Sequence, residues 1–344
     1  MATLTAIAPL TDHRAIGLSD EDAIEITALI LRTREIDERM WALNRQGKVP
    51  FVVPCRGQEA AQAGAAWALD PARDWLFPHY RDLALVQRFG FTVDELFLMF
   101  FAKGTDLISG GRQMTHHFGS QARHVASISA PLGTQIPHAV GGAYAMRLQG
   151  ITNAVTLTCF GEGTSSKGDF YEACSLAALH KLPVIFFCEN NQYAISVPME
   201  KQSPVPNVAD RAAAFGFPGV TVDGTDPFAI YAAVRDARAR GVAGEGPTLV
   251  EAKMYRLLPH TSDDNDMTYR TREEVRQAEE SEPVRRIIQY TRERGLLSED
   301  DITAMRARVR AEIAAAVTAA QAAPEPDPAT VADNVYAPVE EAAR

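Results

Sequence analysis

The chain has 344 residues, enough for one large α/β domain or two ordinary ones with a substantial core. With 46% hydrophobic and 23% charged residues it has the composition of a folded globular protein, and no apolar run approaches the ~20 residues that span a bilayer. Its formal charge of -10, from 34 basic and 44 acidic residues, disfavours a general nucleic-acid binder, because counterion release needs a basic face.

From the amino terminus, Met1 to Leu10 show neither a basic region followed by an apolar run nor an Arg-rich amphipathic pattern, so the expectation is a cytoplasmic protein. The segment 19–46 predicts a helix: Ser19 is a fitting N-cap, and Ile24, Ile26, Leu29, Ile30 and Ile36 make an apolar face. Alanine-rich 58–69 predicts a second helix, 77–82 a loop, and 93–102 a third helix. The stretch 104–129 has several glycines, three histidines and no clear period, which marks a long functional loop.

Regular alternation follows. Helices are predicted over 135–149, 169–180, 208–215 and 227–240, and strands over 154–160, 184–188, 219–222 and 248–254. Gly141 and Gly142 allow close packing of the first of these helices. Such strand–helix–strand units imply an α/β fold, a parallel sheet with helices on both faces. After a polar stretch at 260–269 come charged helices at 272–280, 283–293 and 298–322, whose outer face reads as solvated surface or subunit contact. The tail 323–344, with four prolines, is expected to wrap a neighbour or fray. The domain reading is a helical arm over 1–50, an α/β domain over 51–297, and a helix with a Pro-containing tail over 298–344. Cys55, Cys159, Cys174 and Cys188 have no metal-finger spacing and are expected to be small reduced core residues.

Open α/β sheets place ligands just beyond the carboxyl ends of their strands. There the first strand runs into Gly161-Glu162-Gly163-Thr164 and the second into Asn190-Asn191. Glycines let a phosphate approach the backbone, and the helix that follows offers free N–H groups. A carboxylate, an amide oxygen and a backbone carbonyl would suit Mg²⁺ shared with a diphosphate. Singly, a Gly-Glu-Gly turn or an Asn-Asn pair is an ordinary turn; together on consecutive strands they form a specific pattern. Gly163 to Gly168 superficially suggests a P-loop, but its lysine does not follow a glycine in the required order. No G-x-G-x-x-G follows a strand, which counts against a dinucleotide enzyme. A non-catalytic binding subunit and a phosphate-transfer enzyme are the other classes weighed. The former should lack the metal ligands, and the latter should show a nucleophile or base beside Glu162.

A glycine-acid-glycine turn closed by an asparagine pair one βαβ unit later resembles the thiamine diphosphate motif. The stretch 161–198, with His79-Tyr80-Arg81-Asp82, Gly111-Arg112-Gln113-Met114 and Ala130-Pro131-Leu132-Gly133-Thr134-Gln135, is similar to the alpha subunits of 2-oxo acid dehydrogenases, over about 23–297. The loop His260-Thr261-Ser262-Asp263-Asp264 and the glutamate at 162 look most like the branched-chain (2-oxoisovalerate) group; pyruvate and acetoin enzymes are the alternatives.

That resemblance implies a thiamine diphosphate-binding fold and a set of roles. Glu162, the Asn191 side chain and the Tyr193 carbonyl would ligate Mg²⁺, with Gly161, Gly163, Thr164, Ala194 and Ile195 around the cofactor. Tyr80, Arg81, Arg256 and His260 would hold the diphosphate or line its approach. Leu132 would wedge beneath the cofactor, and the Ala130 backbone would meet the aminopyrimidine. Phe51, Tyr80, Met114, His117 and Ala130 would line the 2-oxo acid pocket, and Ser129, Pro131, Thr134 and Gln135 match a monovalent-cation (K⁺) site. His260 is the implied catalytic residue, guiding a lipoyl group. No phosphate contact is carried over to Glu189, where some branched-chain relatives have arginine. Thr261 stands where eukaryotic relatives carry a regulated serine, and a hydroxyl there does not itself imply regulation. The implied partners are a beta subunit, in a heterotetramer of two alpha and two beta chains, and a lipoyl-bearing acyltransferase. Neither nucleic acid nor membrane is expected as a partner. The glutamate that activates the cofactor would come from the beta chain.

Overall fold

The structure is a computed structural model and describes residues 8–333 and 335. The strands, in chain order, are β1 (Trp75–Phe77), β2 (Thr156–Gly161), β3 (Val184–Asn190), β4 (Tyr193–Ala194), β5 (Val197–Pro198), β6 (Gly219–Asp223) and β7 (Thr248–Lys253). Five of them form one sheet of order β1-β2-β3-β7-β6, every pair parallel, while β4 and β5 make a small antiparallel hairpin. β2, β3 and β7 lie in the middle and are buried almost throughout, which is why their sequences are continuous apolar runs.

The helices are α1 (Asp20–Arg45), α2 (Glu59–Trp67), α3 (Leu83–Arg88), α4 (Val93–Phe100), α5 (Gln135–Leu148), α6 (Gly168–Leu179), α7 (Met199–Gln202), α8 (Pro227–Val242), α9 (Arg272–Ala278), α10 (Pro283–Glu293) and α11 (Glu299–Ala322). Side chains alternate across the sheet. Phe160, Phe186 and Leu249 face α5 and α6, and Leu157, Ile185, Phe187 and Val250 pack with α8 and the helices beyond it. α11 places Ile313, Ala316, Val317 and Ala320 in the same cluster as Leu157 and Ile185. Capping boxes start α1, α4 and α11, each pairing a Ser or Thr N-cap with an acid three residues on.

The predicted helices and strands recur, with informative differences. The segment 208–215 forms a 3₁₀ helix, Ala209–Phe215, not an α-helix. Phe77, expected in a loop, closes the short edge strand β1, and 83–88, left unassigned, is α3. β3 runs two residues beyond 188, so Asn190 is a strand residue. Of the two glycines expected to allow close packing, a Cβ on Gly142 would meet Phe77 Cζ at 2.9 Å, whereas Gly141 faces open space. The four cysteines are buried and unpaired. No described helix is long and apolar enough to cross a membrane. The reading of 1–10 falls mainly on residues 1–7, and that of the tail partly on 334 and 336–344, all outside the described residues. The described start of the tail is tied down: Gly104 N donates to Pro324 O at 2.9 Å, and Lys103 pairs with Glu325.

Candidate functional site

Register alone brings the candidate loops together. Gly161 pairs with Glu189 and Asn190 with Lys253, so β2, β3 and β7 end side by side. β1 ends on the same edge. Four adjacent strands therefore release 78–82, 162–164, 191–195 and 254–260 along one rim. Backbone bonds tighten the junction: Met254 N donates to Asn190 O at 2.9 Å and Arg256 N to Asn191 O at 3.2 Å.

Glu162 opens a 3₁₀ turn, Glu162–Ser166, and is 2% exposed. Its Oε2 accepts from Asn191 N at 3.3 Å and its Oε1 from Gln202 Nε2 at 3.2 Å. No cation pairs with it among the described residues, and burial pushes its carboxyl pKa above the ordinary range. Asn191 Oδ1 accepts from Tyr193 N at 3.3 Å. The neighbouring amide has another job: Asn190 Nδ2 donates to Glu251 Oε1 at 2.6 Å, and its Oδ1 accepts from Gln192 N at 3.2 Å. Of the pair only Asn191 hydrogen-bonds Glu162, and it does so through its backbone N–H. Gln192 and Ile195 take left-handed φ of 74° and 54°, which turns the chain sharply enough to bring Ala194 over the glycine loop. A Cβ on Gly163 would lie 2.5 Å from Ala194 Cβ, so this loop accepts only glycine without moving its neighbour. Thr164 is buried in the same turn.

The segments released along the same rim carry two guanidiniums, Arg81 and Arg256, both 1% exposed. Arg81 Nη1 donates to Pro54 O at 2.6 Å, and Nη2 donates to His260 Nδ1 at 2.8 Å and His260 O at 2.9 Å. Arg256 donates to Tyr193 O at 3.1 Å, Ile195 O at 2.6 Å and the Tyr269 hydroxyl at 2.8 Å, and its buried Nε has no partner. Among the described residues neither arginine forms an ion pair with a carboxylate. Burial first, then the Arg81 charge, lowers the pKa of Arg256. Since burying an unpaired charge is costly, the rim is built for an anion.

His260 is locked by this arrangement. A guanidinium has no acceptor, so Nδ1 must accept from Arg81 and the ring proton sits on Nε2. Burial, then Arg81 and Arg256, pulls its pKa down to about 3, and the ring is neutral at working pH. Tyr80 packs edge-on to it at 6.2 Å and lies under the Arg81 guanidinium at 5.1 Å.

The implied substrate residues gather beside this rim. Thr115 Oγ1 donates to Phe51 O at 3.1 Å, and Ser262 N to Val52 O at 2.9 Å, which joins the 51–53, 115–117 and 260–262 segments. His117 Nδ1 donates to Thr115 O at 3.1 Å, leaving a buried Nε2 without a partner. Met114 is half exposed, and Ala130 lies on the surface. Among the described residues no hydrogen bond joins Ala130 or Leu132 to the Glu162 turn; their loop is placed by Gly133, which lies beside Lys167 and Asp169 at the start of α6. In the implied cation site, Ser129 Oγ lies 2.5 Å from Thr134 Oγ1 and 3.1 Å from Pro131 O. Gln135 Nε2 donates to Cys159 O at 2.9 Å.

Sequence reading missed Gln202 on Glu162, Tyr269 on Arg256, and a buried group of Asp82, Glu189 and Gln62 beneath Arg81. Gln202 lies 40 positions from Glu162 and Gln62 lies 127 from Glu189, so no spacing marks those pairs, while Asp82 and Tyr269 lie near their partners in the chain but carry no signal of the contact.

Comparison with known proteins fits this geometry. The family model for the dehydrogenase E1 component matches residues 27–329. The chain is 50% identical, over 94% of its length and 98% of the relative's, to the 2-oxoisovalerate dehydrogenase subunit alpha of Bacillus subtilis (strain 168). It is 40% identical to the 3-methyl-2-oxobutanoate dehydrogenase subunit alpha of Mycobacterium tuberculosis (strain ATCC 25618 / H37Rv), over 95% of this chain and 85% of that one. It is also 40% identical to the pyruvate dehydrogenase E1 component subunit alpha of Staphylococcus aureus (strain N315), over 87% and 78% respectively.

Proposed function

The chain belongs to the dehydrogenase E1 component family, and from that premise we propose that it is the alpha subunit of a branched-chain 2-oxo acid dehydrogenase, carrying the diphosphate and magnesium half of a thiamine diphosphate site. One observation carries the reading: two buried guanidiniums without carboxylates and one buried carboxylate without a cation come from segments released along the same rim where four strands end. A diphosphate with its Mg²⁺ satisfies both deficits at once.

The chemistry that thiamine diphosphate supplies when bound is decarboxylation of a 2-oxo acid. Arg81 and Arg256 would hold the diphosphate, since guanidiniums suit phosphate oxygens and neither is paired with a carboxylate among the described residues. Glu162, the Asn191 side chain and the Tyr193 carbonyl offer Mg²⁺ three oxygens, and each currently makes only hydrogen bonds that a cation can replace or share. His260 presents a neutral Nε2–H and is too weakly basic to serve as a general base near pH 7. Its role is to orient an oxygen of the substrate or the incoming lipoyl group. Glu162 is engaged by Asn191 and Gln202, Asp264 by His260 and Tyr269, and Asp82 and Glu189 are buried below the rim, so the family resemblance points to an outside source for the acid that would face the aminopyrimidine. That acid belongs to a beta subunit. Its presence is also supported by exposed Tyr144, Leu148, Leu176 and Leu179 on α5 and α6, an apolar face that a second chain in the heterotetramer covers. Ser129, Thr134 and the Pro131 carbonyl form an oxygen cluster suited to K⁺. The acyl group then passes to a lipoyl-bearing acyltransferase.

The test supplies the beta partner, Mg²⁺ and thiamine diphosphate with 2-oxoisovalerate, 2-oxoisocaproate, pyruvate and acetoin in turn. The branched-chain acids should show the highest kcat/KM; a preference for pyruvate or acetoin moves the substrate assignment to those enzymes. The chain without its partner should not decarboxylate 2-oxoisovalerate at a significant rate, and robust activity would sink the half-site reading. His260→Ala should impair transfer to the lipoyl group more than decarboxylation with an artificial acceptor. Equal losses would assign His260 to cofactor anchoring alone.

A further inference from the structure

Beneath the rim, three buried side chains hold the turn that carries Tyr80 and Arg81. Asp82 Oδ2 accepts from His79 N at 2.7 Å and closes the turn. From α2, Gln62 Nε2 donates to Arg81 O at 2.9 Å and to Glu189 Oε2 at 3.2 Å, while its Oε1 accepts from Ala84 N at 3.2 Å. Glu189 lies in β3, on the strand that delivers Asn191. Asp82, Glu189 and Cys159 bring one ligand atom each within 4.8 Å of one another, and the two carboxyls are 0% and 1% exposed. Asp82 Oδ1 and Glu189 Oε1 have no donor among the described residues.

A metal ion is a poor occupant for this gap. A hard cation needs six or more oxygens or waters, and here burial leaves two carboxyls, a thiol and no solvent. The contacts run from His79 N to Asp82 and from Gln62 to both Glu189 and the Arg81 carbonyl, with the two carboxyls packed close to one another.

We infer that Asp82, Glu189 and Gln62 are positioning residues, a hydrogen-bonded latch in which Gln62 ties the Arg81 turn to β3 and so sets the anion-binding arginine relative to the strand that carries Asn191. The latch holds the Arg81 backbone, while Pro54 and His260 hold its guanidinium, and a residue fixed at both ends is ready for a phosphate before the phosphate arrives. The inference rests on the reading of Arg81 as a diphosphate ligand.

The test uses the complex with its beta partner and three variants, Asp82→Asn, Asp82→Ala and Gln62→Met. Thiamine diphosphate binding with Mg²⁺ is measured by calorimetry, alongside kcat at saturating cofactor and thermal unfolding. In Asp82→Asn the amide oxygen still accepts from His79 N and the amide N–H is offered to the unpartnered Glu189 Oε1, so affinity should stay within about 3-fold of wild type. Asp82→Ala and Gln62→Met should each weaken cofactor binding roughly 10- to 100-fold, the range for residues that orient a ligand-binding group. In both variants kcat should be largely retained once cofactor saturates. Wild-type affinity in Asp82→Ala or Gln62→Met overturns the latch, and so does an Asp82→Asn variant as weak as Asp82→Ala. If Asp82→Ala fails to assemble, Gln62→Met and Asp82→Asn still decide. A wild-type complex that binds no thiamine diphosphate overturns instead the function proposed for the site.

Discussion

Asn190 and Asn191 are chemically identical neighbours with opposite duties. Asn190, the last residue of β3, donates its side-chain amide to buried Glu251, whereas Asn191, just past the strand, reaches Glu162 through its backbone N–H and turns its side-chain oxygen to Tyr193 N. Asn191→Ala should cost Mg²⁺-dependent cofactor binding with little loss of stability. Asn190→Ala leaves a buried carboxylate short of a donor and should destabilise the fold by about 1–3 kcal/mol, read by chemical denaturation. His260 makes a second residue-scale prediction. Its folded pKa of about 3 lies below the ordinary 6.5, so the unfolded chain takes up its proton first. Its contribution to stability is full above pH 6.5 and is lost as pH falls towards 3. His79 and His116 act in the same sense, while Asp37, pushed up to about 7 chiefly by burial, acts in the opposite sense. The informative quantity is therefore a difference: the stability of His260→Asn should fall less than wild type between pH 6.5 and 4, measured without cofactor. Parallel curves would mean that His260 does not carry this proton linkage.

At the scale of elements, close backbone approach decides what the sheet can hold. α2 and α8 cross where a Cβ on Gly64 would lie 2.2 Å from Pro227 O. Alanine favours a helix interior over glycine by about 1 kcal/mol, but overpacking costs roughly 1–3 kcal/mol and a backbone oxygen cannot rotate away. Gly64→Ala should therefore lower stability, seen as a lower denaturation midpoint; a rise would show that the two helices separate freely. Helix existence was legible because α1, α8 and α11 open on capping side chains in their own sequence. The 3₁₀ turn at Ala209–Phe215 was not, because its alanines fit either helix and tertiary contact chooses. Edge strand β1 was missed for a related reason: three residues carry no period, and only pairing with β2 makes them a strand.

The whole molecule presents half of a site on one sheet rim and an apolar face on α5 and α6. Ligand linkage gives a test at this scale. Mg²⁺ and thiamine diphosphate together, at 100 times their dissociation constant, should stabilise the complex by about 2.7 kcal/mol, and a chelator should remove the gain. No shift with either ligand would argue against the site. The charge complementarity that makes this expectation specific, two arginines against one glutamate, joins residues 81, 162 and 256 and exists only in the folded chain.

The sequence by itself determined the class of fold, the loops that bear the chemistry and the family, since all of these rest on local signals: strand runs, caps, glycines and asparagines at strand ends. Only the tertiary structure decided that Asn190 is engaged by Glu251, which nitrogen of His260 carries the proton, and which buried groups lie beneath Arg81. Those answers depend on strand register and on contacts such as Gln62 to Glu189, 127 positions apart. Local pattern carries no information about such pairs, because the sheet brings them together only after the chain has folded.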